Sequence, residues 1–394
     1  MSADVRVTPV RSHAEREAFL RVPWPLYRDR PEWVPPLLSD QRQLIDPRRG
    51  PFFKTSAAEF FLARRGGEIV GRIAAFENRP HLEAHADGAG FFGYFESPDD
   101  PAISGALLRA AEGWLRARGL TVARGPANFS IYEEAGVLLE GFEHAPMAGM
   151  AYTLPYYPAL LERAGYGKAK DLYVYRVSRE QVRMERVARL AQAAERLGAV
   201  TVRNLDMSRL REEADFLAQV YAEAWRDNWG QVPISAEEFY DAYKRYRFFL
   251  RPELVYLAEI DGEPAGYFVA MPDMNVLLAK MNGRLWPTGL FHLLFGRAGI
   301  RRFRLFMMGV RPKYRRVGLP LIFLRRCQEE LARRNAELLE FSWVLEDNHE
   351  VIAVLDRVGA VRVQTLRLYE RDVGRERERE RESESEGESG GEAS

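Results

Sequence analysis

Gly309-Val-Arg-Pro-Lys-Tyr-Arg-Arg-Val-Gly-Leu-Pro320 is the stretch that decides how the second half of this chain is read. Arg304 to Val310 reads as a strand running into it, and Leu319 to about Ala336 as an apolar helix running out. A strand that feeds a helix through a glycine-bearing loop gathers free backbone N–H groups and the positive end of the helix dipole at one point. Such a point suits a pyrophosphate, whose charge and many acceptor oxygens match several parallel donors. Arg301 to Arg316 holds seven Lys or Arg residues and no acid, so the local field has the matching sign.

Outward from this segment, the chain repeats itself about half its length apart. Phe61-Leu-Ala-Arg-Arg-Gly-Gly-Glu-Ile-Val-Gly-Arg-Ile-Ala-Ala75 matches Tyr256-Leu-Ala-Glu-Ile-Asp-Gly-Glu-Pro-Ala-Gly-Tyr-Phe-Val-Ala270, and both read as strand, tight turn, strand. Leu161-Glu-Arg-Ala-Gly165 matches Leu355-Asp-Arg-Val-Gly359 as a helix end with a glycine cap, followed by strands that keep Leu172 with Leu366 and Tyr175 with Tyr369. The expected organisation is a tandem pair: domains over 1–177 and 199–372, a linking helix over 178–198, and a disordered tail over 373–394. In the tail Arg and Glu alternate before a run of Ser, Glu, Gly and Ala.

The loop resembles the acyl-CoA segment of GNAT (GCN5-related N-acetyltransferase) enzymes, with Arg315, Gly318 and Pro320 in the places of Gln or Arg, Gly, and Gly or Ala. Pro320 departs from that pattern and removes one donor. Asn348, Val351, Val354, Leu355, Arg357, Gly359 and Ala360 keep the spacing of a second GNAT segment, in which Leu355 replaces a tyrosine thought to protonate the leaving thiolate. Gly90-Phe-Phe-Gly-Tyr-Phe-Glu96, Gly125-Pro-Ala-Asn128, Asn228-Trp-Gly230 and Ser342-Trp-Val-Leu-Glu-Asp-Asn348 extend the resemblance to a bacterial group of two-domain GNAT-like proteins. The resemblance implies an α/β class, in the α+β mixed-sheet sense, with a tandem GNAT-like acyl-CoA N-acyltransferase fold. It also implies acetyl-CoA or another acyl-CoA as co-substrate and a small-molecule or peptide primary amine as acceptor. Met308 and Val310 would align pantetheine. Arg315, Arg316, Val317, Gly318, Leu319, Pro320 and Asn348 would complete the cofactor site.

In the first half the equivalent strand runs into Glu96, Asp99 and Asp100, with no Lys or Arg nearby in sequence to offset them. That half is expected to be a degenerate copy without cofactor, with Asp99 and Asp100 capping a helix from Ala102 to Arg118. Glu346, at the end of a strand Leu338 to Leu345, is the candidate base, and Asp347 beside it reads as a cap. Tyr369 is a candidate acid against a background of core packing. Trp225, Asn228 and Trp229, ending a helix that begins near Glu213, are candidates for acceptor contact, as are Asn128 and Tyr132. His81 and His85 are four apart, but Pro80 and Asp87-Gly88 suggest a loop and no third ligand is evident, so no metal is expected. Asn275 to Ile300 is an insertion readable as a lid or an amphipathic brace.

Composition sets the outer bounds. Lys and Arg together number 57, as do Asp and Glu, so the zero net charge does not favour a nucleic-acid surface. Cys327 is the single cysteine, which excludes an intrachain disulfide and a cysteine-based zinc site. With no apolar block near Met1 and no run of about 20 apolar residues, the expectation is a cytoplasmic protein without membrane or nucleic-acid partners, its oligomeric state open. Two other readings stand beside the acetyltransferase: a non-catalytic CoA-binding or protein-interaction module, and a Fem-like aminoacyl transferase drawing on charged tRNA.

Overall fold

A computed structural model describes residues 4–181, 188–189, 191–192, 200–247, 249–286 and 288–374. The strands, in chain order, are β1 (Val5–Pro9), β2 (Ala57–Arg65), β3 (Glu68–Glu77), β4 (Ala89–Glu96), β5 (Val122–Gly125), β6 (Ala127–Asn128), β7 (Ser130–Ala135), β8 (Val137–Glu140), β9 (Gly167–Ser178), β10 (Val200–Asn204), β11 (Val255–Ile260), β12 (Glu263–Pro272), β13 (Arg302–Val310), β14 (Leu338–Leu345) and β15 (Val361–Asp372). The chain forms two compact units. One holds the residues through Asp171, Asn282–Arg284 and those from Leu366; the other holds Leu172–Met281 and Leu285–Thr365.

The first unit carries a sheet in the order β1-β2-β3-β4-β5-β15, antiparallel except for the parallel β4/β5 pair. The second carries β10-β11-β12-β13-β14-β9, antiparallel except for β13/β14. The same plan therefore appears twice. Its two hairpins close at Gly66-Gly67 (φ 58° and 91°) and Asp261-Gly262 (φ 51° and 79°). Two successive positive φ values give the turn whose twist matches the flanking strands, and glycine adopts them without a Cβ clash. The second repeat is also present: the helices Tyr157–Arg163 and His349–Val358 are followed by Gly165 and Gly359 at φ 83° and 86°.

The units do not coincide with the sequence halves. Leu172–Ser178 of β9 belongs to the second unit, where Leu339 pairs with Val177. Leu366–Asp372 of β15 belongs to the first, where Tyr369 pairs with Gly125. Each half of the sequence thus ends on a strand that completes the sheet of the other half, a division different from the boundary expected at 177. Val373 also differs from the expected tail. It is fully buried, and its amide donates to Thr121 O at 2.7 Å. Most of the linking helix over 178–198, and the tail from 375, lie outside the described residues.

One face of the second sheet packs on the helix Leu319–Arg333, which buries Leu319, Ile322, Phe323, Cys327 and Leu331 against Tyr256, Phe268 and Phe341. Each such aliphatic or aromatic side chain contributes about 1.5–3 kcal/mol at most. The other face packs on the helices Leu210–Ala224 and Ala236–Tyr246 through Leu217, Val220, Tyr221 and Phe239. The helix Ala236–Tyr246 opens with a capping box, Ser235 and Glu238 satisfying each other's backbone amides. Among the described residues no helix is long and apolar enough to cross a membrane.

Candidate functional site

In the second unit, β13 and β14 pair from Arg302/Leu338 to Leu305/Phe341 and no farther, although β13 continues to Val310 and β14 to Leu345. The two parallel strands open there into a wedge. On the other side of β13 the ladder to β12 slips between Val269/Met307 and Ala270/Leu305, leaving Phe306 as a bulge. Beyond the bulge, Arg311 N donates to Ala265 O at 3.0 Å. Amides alternate sides along an antiparallel ladder, so those of Gly309 and Met307 also face β12. The amides of Met308 and Val310 then face the wedge.

The loop beyond β13 is tighter than the sequence suggested. Pro312–Val317 forms a 3₁₀ turn, entered by a Tyr314 N to Arg311 O bond of 2.8 Å. In that geometry each amide donates three residues back, so the amides of Arg315, Arg316 and Val317 serve the turn. Gly318 then takes φ 86°, ψ 20° and starts the helix Leu319–Arg333. Among the described residues no protein group accepts from the amides of Gly318 or Leu319. Pro320 has no N–H, and Leu321 N is already bonded to Gly318 O at 3.0 Å. Two amides at this helix start, those of Gly318 and Leu319, are therefore left without a protein acceptor among the described residues.

The charge around them is also selected. Of the seven basic residues, Arg301 pairs with Glu337 (3.4 Å), Arg302 with Asp273 (3.2 Å), Arg311 with Glu223 (2.5 Å) and Lys313 with Glu263. The Arg311 guanidinium holds Glu223 below its ordinary carboxylate range. Arg304 is buried and donates to Ser342 Oγ at 2.8 Å. Arg315 and Arg316 alone are left exposed without a carboxylate among the described residues, and Arg315 reaches Ala224 O at 3.4 Å. The basic run is thus mostly scaffold.

Asn348 caps the helix His349–Val358, its side chain accepting from Val351 N at 3.3 Å, so the cap is Asn348 and not Asp347. Glu346, half-buried, sits between the end of β14 and this cap. Leu355 is 2% exposed and shares one apolar cluster with Leu319, Met308, Val310 and Val317. That cluster brings together the strand, loop and helix of the sequence-read site. Trp225, Asn228 and Trp229 follow the helix Leu210–Ala224 instead of lying on it, and Trp225 stacks on Tyr221 at 5.4 Å. Arg311 and Arg315 anchor this helix end to the loop through Glu223 and Ala224.

Tyr369, Asn128 and Tyr132 belong to the first unit. Tyr369 is buried, its phenol donates to Glu162 at 3.1 Å, and burial pushes its pKa up to about 12. There too a wedge opens, because the β4/β5 ladder stops at Phe91/Arg124 while β4 runs on to Glu96. By register, Tyr94 and Phe95 together lie between Gly93, opposite Ala74, and Glu96, opposite Arg72, where the second unit has Met308 alone between Met307 and Gly309. Tyr94 N, however, already donates to Asn128 Oδ1 at 2.9 Å, and Asn128 Nδ2 to Glu134 at 3.0 Å. A Cβ on Gly93 would lie 1.8 Å from Ala127 O, so β6 fills this wedge.

The acids of that unit are not uncompensated as expected. Arg65 reaches Asp100 at 2.7 Å, and Arg72 approaches Glu96 at 3.5 Å. Glu96 also accepts from the Tyr157 phenol at 2.6 Å, while burial pushes its pKa up. Asp100 alone caps the helix Pro101–Ala117, accepting from Ala102 N at 2.8 Å. His81 and His85 lie on a helix, Arg79–His85, and not in a loop; His81 Nε2 is 3.2 Å from Asp87. Among the described residues, no three His, Cys, Asp or Glu side chains could hold a metal together.

The wedge, the helix-start amides and the doubled plan can be compared with known proteins. Residues 214–360 match the model of the Acetyltransferase (GNAT) family. A Caulobacter vibrioides (strain NA1000 / CB15N) protein named bacterial ceramide synthase is 36% identical over 383 residues, covering 94% of this chain and 98% of that protein. The chain belongs to the GNAT family. Escherichia coli (strain K12) protein YghO is 33% identical over 363 residues, covering 91% of this chain and 93% of that protein. Among solved structures, a tandem GNAT protein from the clavulanic acid biosynthesis pathway superposes with a TM-score of 0.56 at 14% identity, covering 94% of this chain and 99% of that one. A GNAT protein from Sphaerobacter thermophilus gives 0.54 at 14% identity, covering 94% and 96%. These likenesses, the first of them to a tandem GNAT protein, show the fold. The chain is accordingly a GNAT acyltransferase that uses an acyl-CoA.

Proposed function

We propose that this protein transfers a fatty acyl group from its CoA thioester to the primary amine of a sphingoid base, forming a ceramide-type amide. The observation that carries the reading is the open β13/β14 wedge beside two acceptor-free amides, in a chain that matches a protein named ceramide synthase over nearly its whole length. The donor in this reading is a longer chain than the acetyl group expected from the sequence, because the matched protein is named a ceramide synthase and ceramides are fatty amides.

The residues fit an acyl-CoA without rearrangement. Gly318 and Leu319 donate to the pyrophosphate, and the exposed Arg315 and Arg316 add charge without having to leave a carboxylate. Val317 and Leu319 give the pantetheine an apolar wall. Met308 and Val310 turn their amides into the wedge, one toward the pantetheine amide and one toward the thioester carbonyl oxygen. A donor placed where that oxygen gains negative charge contributes about 2.7–4 kcal/mol. The neutral amine nitrogen attacks the carbonyl carbon; the C–N bond forms, the C–S bond breaks, and the sulfur leaves with its electron pair. Glu346 takes the proton that the nitrogen gives up, directly or through a water. Leu355 has no proton to give, so the sulfur leaves as a thiolate. Trp225, Asn228 and Trp229 border the acceptor side, and the first unit, its wedge filled by Asn128, holds no acyl-CoA.

The test is a thiol-release assay in detergent micelles that pairs acetyl-CoA and palmitoyl-CoA with sphinganine, ethanolamine and a lysine peptide. Release confined to palmitoyl-CoA with sphinganine is the expected result. Turnover only with acetyl-CoA and short amines would overturn the substrate assignment. Tight CoA binding without turnover would make the protein a binding module. tRNA binding without CoA binding would make it Fem-like.

A further inference from the structure

The insertion between β12 and β13 buries Leu277, Met281 and Ile300 but leaves a second set of apolar residues outside. In the second unit the helix Thr288–Phe295 exposes Phe291 (63%), Leu294 (64%) and Phe295 (69%), which are spaced i, i+3, i+4 and so share one face. Trp286, just before it, is 76% exposed. A surface helix normally turns such a stripe inward; here the Phe291 and Phe295 rings pack on each other at 4.7 Å and face solvent.

The charge beside this stripe has one sign. Asn275 to Ile300 contains Lys280, Arg284 and Arg297 and no acidic residue. Lys280 is exposed, and Arg297 is half-buried next to Arg251, with no carboxylate partner for either guanidinium among the described residues. Burial, then the neighbouring Arg251 charge, pulls the Arg297 guanidinium below its ordinary value, as expected of cations lacking a counter-ion.

We propose that this insertion docks on an anionic phospholipid bilayer, with Trp286, Phe291, Leu294 and Phe295 entering the interface and Lys280 and Arg297 meeting headgroup phosphates. An aromatic and aliphatic stripe flanked by cations is the pattern of interfacial amphipathic helices, and tryptophan settles at the headgroup level. A helix of eight residues is too short to span the bilayer, so it lies on the surface. A second copy of the chain fits less well, because a symmetric contact through this patch would bring its own cations face to face. The inference goes beyond the acceptor assignment and stands without it.

The full chain is floated with vesicles of phosphatidylcholine, with and without a quarter of phosphatidylglycerol, and compared with the W286S/F291S/L294S/F295S variant and with K280E/R297E. The wild type should bind the anionic vesicles, and the apolar variant should lose at least about ten-fold in partitioning with an unchanged melting temperature. The charge variant should lose the preference for phosphatidylglycerol. The proposal is overturned if the wild type ignores anionic vesicles, if the apolar variant binds them equally, or if the patch holds a dimer in sedimentation and no vesicle is bound. Amide formation from micellar substrates is read separately on the same variants. Failure of docking and failure of the acceptor reading therefore give different results.

Discussion

Gly318→Ala tests the two-amide cradle directly. Gly318 sits at φ 86°, ψ 20°, a left-handed conformation that costs an L-residue about 1–2 kcal/mol. The variant either keeps that conformation and is strained, or turns the peptide back and withdraws the Gly318 and Leu319 amides from the pyrophosphate. A hydrogen bond to a charged acceptor contributes about 1.5–3 kcal/mol, so the second course removes at least that much. A loss of about 1–3 kcal/mol raises the dissociation constant roughly 5- to 150-fold. Isothermal titration with CoA reads this, and the comparison with pantetheine gives it meaning. Pantetheine has no pyrophosphate, so kcat/KM with an acyl-pantetheine should be the same in wild type and variant while kcat/KM with acyl-CoA falls. Equal losses with both donors would mean that the substitution damages the wedge or the fold. No loss with either donor, in a variant whose melting temperature also shows none of the strain of a retained left-handed conformation, would mean that the turn does not hold the pyrophosphate.

Three further outcomes follow from named contacts. Glu346→Gln should lower kcat about 10²-fold or more with little change in the KM for acyl-CoA, because the amide accepts no proton; an unchanged kcat in steady-state thiol release would remove Glu346 from the mechanism. Glu340 is fully buried and accepts from Arg176 Nε at 2.9 Å and Ser342 Oγ at 2.6 Å, with buried Arg304 beside it, so Glu340→Ala should destabilise by about 3–5 kcal/mol in denaturant unfolding by leaving guanidiniums uncompensated. Burial opposes ionisation of Asp171, yet hydrogen bonds from Arg367 (2.7 Å) and Lys168 (2.9 Å) outweigh it and hold its pKa below the ordinary 3.8. The ionised form stabilises the fold above about pH 4, and this contribution fades as pH falls through the depressed value, so the stability gap between wild type and Asp171→Asn should be largest near neutrality and close in acid.

What could be read in the sequence was local. The hairpin turns, the glycine caps at Gly165 and Gly359, and the strand-loop-helix around Gly318 rest on φ preferences and short-range periodicity, which a few adjacent residues determine. The charge of the loop was misjudged because its neutralisation is not local. Glu223, Glu263, Asp273 and Glu337 come from other elements and occupy four of the seven cations, leaving Arg315 and Arg316 exposed without a carboxylate among the described residues. The same error, with the sign reversed, made the first half look too acidic, since Arg65 and Arg72 are also supplied by a neighbouring hairpin. The strand exchange was hidden by the repeat itself. β9 and β15 align as equivalents, with Leu172 matching Leu366 and Tyr175 matching Tyr369, so alternation alone cannot say which sheet each strand completes.

Charge was therefore the weaker argument for functional asymmetry between the units, and backbone satisfaction is the stronger one. In both units a parallel pair parts company at the same point of the sheet and turns a strand amide toward the gap. An amide left there is costly unless something accepts from it. In the first unit the chain itself supplies that acceptor, Asn128 Oδ1, and the carbonyl of Ala127 closes on Gly93 so that no other chain fits. In the second, the corresponding amides at Met308 and Val310 face a gap that β14 has left. The loop that follows leaves two more without a protein acceptor among the described residues, at Gly318 and Leu319, and these are the donors that the proposed function assigns to a long, amide-bearing, phosphorylated molecule. Two copies of one plan thus differ in their hydrogen-bond balance: the first closes it with its own asparagine, and the second, on the function proposed above, closes it with its substrate.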